Sequence, residues 1–282
     1  MKNAANKIEI QNVGRTFHKR GTNEAFHALS GFSLTVREGE FVTIVGPSGC
    51  GKSTLLDILV GLSKPDEGKI LIDGNPVHGP ALDRGIVLQG YALFPWRSVR
   101  KNIEFGLEIK HVPKKERAGI VDHFIKLVGL EGFENHYPYE LSGGMQQRVA
   151  IARSLAYDPE VLFMDEPFAA VDAQTRETMQ DELLSIWEKT NKTVIFVTHS
   201  IEEAVGLADR VAVVSKGPGH IKEVIDVNLP RPRRVSQVRN TTDFNVITHR
   251  VWELLQDRVP EPLKVREPGV DISEAILSDT AI

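Results

Sequence analysis

The sequence predicts an α/β protein of 282 residues: a mostly parallel sheet core, an N-terminal antiparallel β subdomain and an inserted helical subdomain. Three observations carry the prediction. First, four short apolar runs each stop at residues able to do chemistry. Phe41–Val45 stops at Gly46, Ile86–Leu88 at Gln89, Val161–Met164 at Asp165 and Glu166, and Val194–Val197 at Thr198 and His199. Such runs are what parallel strands buried on both faces look like, and in open α/β sheets ligands gather beyond the carboxyl ends of the strands. Second, residues 7–45 are rich in alternation and β-branched side chains; KIEIQNVGRTF, HALSGFSLTV and EFVTIVG read as strands, with HKRGTNEA as a hairpin loop. Third, residues 90–158 lie between two sheet strands yet carry mostly helical patterns, so they read as an insertion.

Helical patterns cover 52–62, 114–129, 144–157, 173–190 and 201–208, and Asp158-Pro159 closes the third. From about residue 226 the character changes. LPRPRR reads as a Pro-punctuated, solvated basic turn, or as a contact for a membrane partner or an anionic membrane surface. Residues 243–259 form one amphipathic helical pattern, and the segment beyond reads as weakly structured. The expected division is a main domain over 7–228, with its helical part at about 90–158, and an extension over 229–282.

Composition narrows the function classes. With 41% hydrophobic residues, 26% charged residues and a formal net charge of −4, the chain has ordinary globular make-up. It shows no block of five or six like charges, so nothing global points to nucleic acid. A lone cysteine, Cys50, forms no internal disulfide and fits a reducing cytosol. The first ten residues lack the apolar core of a signal peptide, and no run has the length of a membrane-spanning helix. The expectation is a chain that does not itself cross a membrane, which leaves contact with a partner that does cross one open.

The chemistry lies in three motifs. GPSGCGKST, Gly46, Pro47, Ser48, Gly49, Cys50, Gly51, Lys52, Ser53 and Thr54, follows an expected strand and opens an expected helix, the context of a phosphate-binding P-loop. Its glycines let backbone N–H groups turn inward, and the helix start adds unpaired N–H groups and a positive dipole end. Lys52 is expected on the β- and γ-phosphates and Ser53 on Mg²⁺. Cys50 reads as a small neutral filler. In VLFMDEP, Asp165 at a strand tip suits Mg²⁺ and Glu166 suits the polarisation of an attacking water. In LSGGMQQR (141–148), Ser142, Gly143 and Gly144 make a second helix start fit for an anion. A triphosphate needs only one P-loop, so two such helix starts in one chain point to a twofold dimer with two sites.

The order P-loop, Gln89, LSGG, MDEP, Asp172 and His199, over about residues 7–228, resembles the ATP-hydrolysing subunits of ABC transporters. The resemblance implies a P-loop NTPase with a RecA-like core, using ATP and Mg²⁺. It implies that two copies pair head to tail, so that Ser142 and Gly144 of one copy touch the γ-phosphate of ATP held by the other. Gln89 resembles the glutamine that reaches Mg²⁺ and the attacking water, His199 the switch histidine on the γ-phosphate, and Asp172 the aspartate at the dimer interface. Phe17 resembles the aromatic that stacks on adenine, with Phe26 as its competitor. Met145 stands where glutamine is frequent, and Ala169-Ala170-Val171 replaces a small-Ala-Leu pattern; neither change removes a reactive group.

Residues 90–107 carry Tyr91, Leu93, Phe94, Trp96 and Phe105 directly after Gln89. They read as core of the helical part, or as a groove that by resemblance receives a helix of a membrane permease. LFPW, LSGGMQQR and LPRPR together resemble importer ATPases for nitrate, taurine, alkanesulfonates and related small anions. The implied setting is peripheral, on the cytoplasmic face of the membrane, with a permease as direct partner, a substrate-binding protein as indirect partner and no nucleic acid. Two rival readings are weaker: a soluble ABC-type ATPase acting on nucleic acid lacks a second ATPase half here, and a non-hydrolysing subunit does not need Glu166 and His199.

Overall fold

A computed structural model describes residues 6–18, 21, 24–169 and 171–256. A four-stranded antiparallel sheet and a six-stranded, mostly parallel sheet share one apolar interior. The first is ordered β2-β1-β4-β5, from β1 (Asn6–His18), β2 (Ala25–Arg37), β4 (Glu67–Ile72) and β5 (Asn75–Pro76). β1 and β2 form the expected hairpin, whose loop lies partly outside the described residues. β4 and β5 carry too little alternation to be read ahead of the structure.

The second sheet is ordered β10-β9-β3-β8-β7-β6, from β3 (Phe41–Val45), β6 (Arg84–Val87), β7 (Val161–Asp165), β8 (Thr193–Thr198), β9 (Arg210–Val214) and β10 (Ile221–Asp226). The four apolar runs are thus four successive parallel neighbours, β3, β8, β7 and β6. Every residue of β3 and β8 is buried, which explains their lack of alternation. Register aligns their ends: Val45 pairs with Thr198 and Asp165 with Val197. Gly46, Glu166 and His199 therefore leave the sheet along one edge.

Helix α1 (Lys52–Val60) follows β3 and fills the space between the two sheets with Leu55, Ile58 and Leu59. The insertion contains α2 (Val99–Ile109), α3 (Lys114–Leu127) and α4 (Gly143–Ala156), packed on α5 (Ala173–Thr190). α2 stands where only an apolar cluster was expected. Helix α6 (Ile201–Leu207) follows β8.

The tail corrects one expectation. LPRPRR is solvated only in part: Pro230, Pro232 and Arg234 are exposed, but the other two arginines are not. Arg233 is buried, Arg231 lies 4.3 Å over the Trp187 ring, and the Arg231 Nε donates to Asp209 at 2.9 Å. Desolvation and the neighbouring Arg231 charge bring the Arg233 guanidinium down to about 10. Beyond it, α7 (Val235–Val238) and α8 (Thr242–Leu255) lay Val238, Phe244 and Val251 on α6 and β9. The last residues of the predicted 243–259 helix fall outside the described residues.

Candidate nucleotide site

The loop between β3 and α1 is shaped by glycine. Gly49 and Gly51 have φ of 78° and 93°, a region glycine enters without steric cost. Gly51 is the N-cap of α1 and brings no side-chain acceptor, so the first-turn N–H groups of the helix stay available to an anion. Other backbone clamps the loop. A Cβ on Gly51 would lie 2.5 Å from the Ala28 carbonyl oxygen, and one on Gly219 would lie 2.1 Å from that of Cys50. Gly219 itself is fixed between Ala28 and Ser30 by two backbone hydrogen bonds of 2.9 and 3.1 Å. Neither Ala28 nor Gly219 shows in the motif, because each acts from a distant segment.

Lys52 is buried and folded against its own loop, its Nζ donating to the carbonyls of Gly46 at 2.8 Å and Pro47 at 3.0 Å. Cys50 is buried in the loop, and burial pushes its thiol above the usual range. Over the loop lies a cavity of about 300 Å³, lined by Ser48, Gly49, Gly51 to Thr54, Phe26, Ala28 and Glu166. That is room for a small ligand. Phe26 lines it and Phe17 does not. The two residues are register partners on β2 and β1, so they share one sheet face, and the Arg15 guanidinium lies 5.1 Å over the Phe17 ring.

Across the cavity, β7 ends at Asp165. Burial raises its carboxyl above the usual range, while a hydrogen bond with the Ser53 hydroxyl acts the other way. Glu166 follows with φ of 42°, a left-handed conformation that costs a non-glycine residue about 1–3 kcal/mol and collects at functional sites. The Glu166 N–H donates to the Val197 carbonyl at 3.0 Å, and its Oε2 lies 3.0 Å from Nδ1 of the exposed His199. The β7 and β8 tips thus bring Glu166 and His199 together beside the P-loop. Gln89 is exposed, two residues beyond β6, and does not line the cavity.

The Ser53 hydroxyl and the Asp165 carboxylate are hard oxygens, near enough that the hydroxyl pulls the carboxyl down, a set that suits Mg²⁺. Among the described residues no group of three or more His, Cys, Asp and Glu side chains could hold a metal ion. Mg²⁺ bound with phosphates and water needs no such group.

The LSGG segment opens α4, where the Ser142 Oγ accepts from the Met145 N–H at 3.3 Å. Ser142 and Gly143 are exposed. Gly144 is buried against the start of α5; a Cβ there would meet Thr175 at 3.3 Å. Asp172 is exposed and caps α5 by accepting from the Thr175 N–H at 3.0 Å, which holds its carboxyl below the usual range. No residue of 141–148 lines the P-loop cavity of the same chain.

The aromatic segment splits. Tyr91 and Leu93 pack on the core, Phe94 and Phe105 pack on each other at 4.6 Å, and Trp96 is 72% exposed. The fully buried Asn102 shapes the loop: its Oδ1 accepts from the Phe94 N–H, and its Nδ2 donates to the carbonyls of Phe94, Arg97 and Ser98. Arg153 of α4 donates to the carbonyls of Tyr91 and Ala92, both left-handed, and so ties this segment to the LSGG helix.

A strand, a glycine-rich loop and a helix around an anion-sized cavity, with paired carboxylates opposite, define a P-loop nucleotide-binding protein. Residues 29–169 match the model of the ABC transporter family. The chain is 54% identical to an uncharacterized ABC transporter ATP-binding protein of Methanocaldococcus jannaschii, over 92% of this chain and 94% of that one. It is 45% identical to a nitrate import ATP-binding protein of Synechocystis sp., over 90% and 97%. Among solved structures, an ATP-binding cassette in a dimeric post-hydrolysis state with ADP and Pi superposes with a TM-score of 0.69 at 35% identity, covering 79% of this chain and all of that one. The chain belongs to the ABC transporter family and is one of its ATP-binding subunits, an ATPase coupled to transport. Among the described residues no helix is long and apolar enough to cross a membrane.

Proposed function

We propose that the chain binds ATP with Mg²⁺ in the P-loop cavity, and that a second copy, docked head to tail, completes each site with its LSGG segment. The observation that carries this reading is that the P-loop cavity is lined by Glu166 and the loop but by no LSGG residue of the same chain. A second copy is the economical source of the missing wall, and the dimeric cassette with ADP and Pi supports it.

In this reading the N–H groups of Gly49 to Thr54 cradle the phosphates. Lys52 exchanges its two carbonyl acceptors for the β- and γ-phosphates. Ser53, Asp165 and Gln89 hold Mg²⁺, which neutralises phosphate charge when bound. Glu166 takes the proton of the attacking water, held at its Oε2 by His199, which also faces the γ-phosphate. Ser142, Gly143 and Gly144 of the second copy close on the γ-phosphate, with Asp172 at the same interface. Phe17 and Phe26 form the adenine seat, with Phe26 nearer the loop.

The ATPase domain is assigned to 7–228, with its helical part at 90–158. Residues 229–282 form an extension, whose α7 and α8 dock on that domain. Trp96 and the loop that Asn102 shapes form the face for a separate membrane permease, and the chain sits on the cytoplasmic side of that membrane. The nitrate import relative supports a small anion such as nitrate, taurine or an alkanesulfonate as solute, delivered by a substrate-binding protein.

Glu166→Gln tests the hydrolytic assignment. ATP affinity stays, turnover falls by about 10²–10⁴, and an ATP-bound dimer accumulates on gel filtration. Turnover near that of the parent protein contradicts the assignment.

A further inference from the structure

Beside the Glu166–His199 pair lies a buried polar cluster that no motif predicts. Its hub is Glu203, 6% exposed, on the first turn of α6. One carboxylate oxygen, Oε2, accepts from the Thr198 hydroxyl at 2.6 Å. The other, Oε1, accepts from the Gln180 Nε2 at 3.2 Å and faces the Arg176 guanidinium at 3.7 Å. Each oxygen thus addresses a different element. Thr198 sits immediately before His199, and its hydroxyl in turn accepts from the Ser200 N–H at 3.0 Å, which fixes the turn on both sides of the histidine. Arg176 sits on the first turn of α5, and its Nη2 donates to the Val171 carbonyl at 2.7 Å, just before Asp172.

A carboxylate this buried is costly unless every lone pair has a use. Burial pushes the Glu203 carboxyl above the usual range, against the pull of Thr198 and Arg176. Apolar residues at Glu203 and its partners together would fill the same volume more cheaply. The charge makes sense as a joint between the loop after β7 and the turn after β8, past the last register pair of the two strands, Asp165 with Val197. A cavity of about 20 Å³, the room of one water molecule, is lined by Glu166 and His199 together with Arg176, Thr198 and Glu203.

We propose that Glu203 is a positioning residue for hydrolysis: it locks the turn carrying His199 to the loop carrying Asp172, so that dimer contacts made at Asp172 set the place of His199 against Glu166. The inference rests on the proposed roles of Glu166, His199 and Asp172.

The test is a double-mutant cycle on the full-length protein, with Thr198→Val at one end of the joint and Arg176→Met at the other. Each single change is expected to lower kcat by about tenfold while the ATP dissociation constant stays within about twofold. The double variant then loses no more than the worse single one, because either change alone breaks the same link. Thr198→Ser, which keeps the hydroxyl, retains kcat within about threefold. The exchange Glu203→Gln with Gln180→Glu returns a carboxylate to the cluster and recovers part of the kcat lost in Glu203→Gln alone.

Losses that multiply in the double variant, or single variants with parental kcat, overturn the inference. So does a loss of kcat matched by an equal loss of ATP affinity, the mark of a merely structural role. Glu166→Gln in the same preparation separates the two levels. If it turns over normally, the hydrolytic reading itself fails; if it is inactive while the cycle multiplies, only the joint fails.

Discussion

Gly219 lies outside every nucleotide-binding motif, yet its replacement should damage ATP binding. The φ of Gly219 is one that any residue can adopt, so Gly219→Ala carries no left-handed penalty. The cost is contact. The added methyl group would sit 2.1 Å from the Cys50 carbonyl oxygen, about 1.3 Å short of ordinary contact, with the Ala28 oxygen at 3.3 Å on another side. Backbone cannot step aside as a side chain can. Gly219 cannot retreat either without giving up its hydrogen bonds to Ala28 and Ser30, each worth about 0.5–1.5 kcal/mol. The P-loop must therefore move. Overpacking of this kind costs about 1–3 kcal/mol, and if the loop absorbs it the ATP dissociation constant rises by about 5- to 150-fold. Calorimetric titration of ATP reads the change. Gly79→Ala, where a methyl meets open space, serves as the control and keeps parental affinity. An ATP affinity for Gly219→Ala within about twofold of the parent refutes the claim that this distant glycine sets the loop.

Two further outcomes are expected. Burial holds the Asp165 carboxyl above the usual range, so this group favours the folded state at acid pH and counts against it once pH rises through the raised value. In the absence of metal, Asp165→Asn should therefore melt above the parent at neutral pH. The gap should close as pH falls through the carboxylate range, and stabilisation by Mg²⁺ with ATP should be lost; scanning fluorimetry across pH checks this, and a lower melting point at neutral pH contradicts it. Trp96→Glu changes a ring that is mostly in solvent, so stability should shift by no more than about 0.5 kcal/mol and the chain's own ATPase should hold, while transport in vesicles carrying the permease collapses. Retained transport would show that Trp96 does not face the permease.

What the sequence reveals follows from how local each signal is. Strands β3, β7 and β8 could be read because burial on both faces writes an uninterrupted apolar run into a single segment. The P-loop and the LSGG helix start could be read because their geometry is set by neighbours in the chain. Gly219 and Asn102 could not, since each matters through a carbonyl or loop that only the fold brings near. The same holds for Glu203, whose partners Arg176 and Gln180 lie on α5. The resemblance favours Phe17 over Phe26 for the adenine, but the order of rings along a hairpin gives neither register nor distance to the loop; the structure pairs the two and sets Phe26 on the cavity. LPRPRR misled for a physical reason. A run of arginines is usually solvated, but here Asp209 and the face of Trp187 receive it.

The central claim is that each ATP lies between the P-loop of one copy and the LSGG of another. Mixing two inactive variants tests it most directly. Lys52→Ala disables the P-loop and Ser142→Arg the LSGG segment. In a head-to-tail heterodimer one site collects both defects and the other is assembled from intact halves. ATPase activity should therefore return on mixing, toward that of one working site per dimer. If each site were built within a single chain, every site in the mixture would carry a defect, and activity would stay at the level of the separate variants.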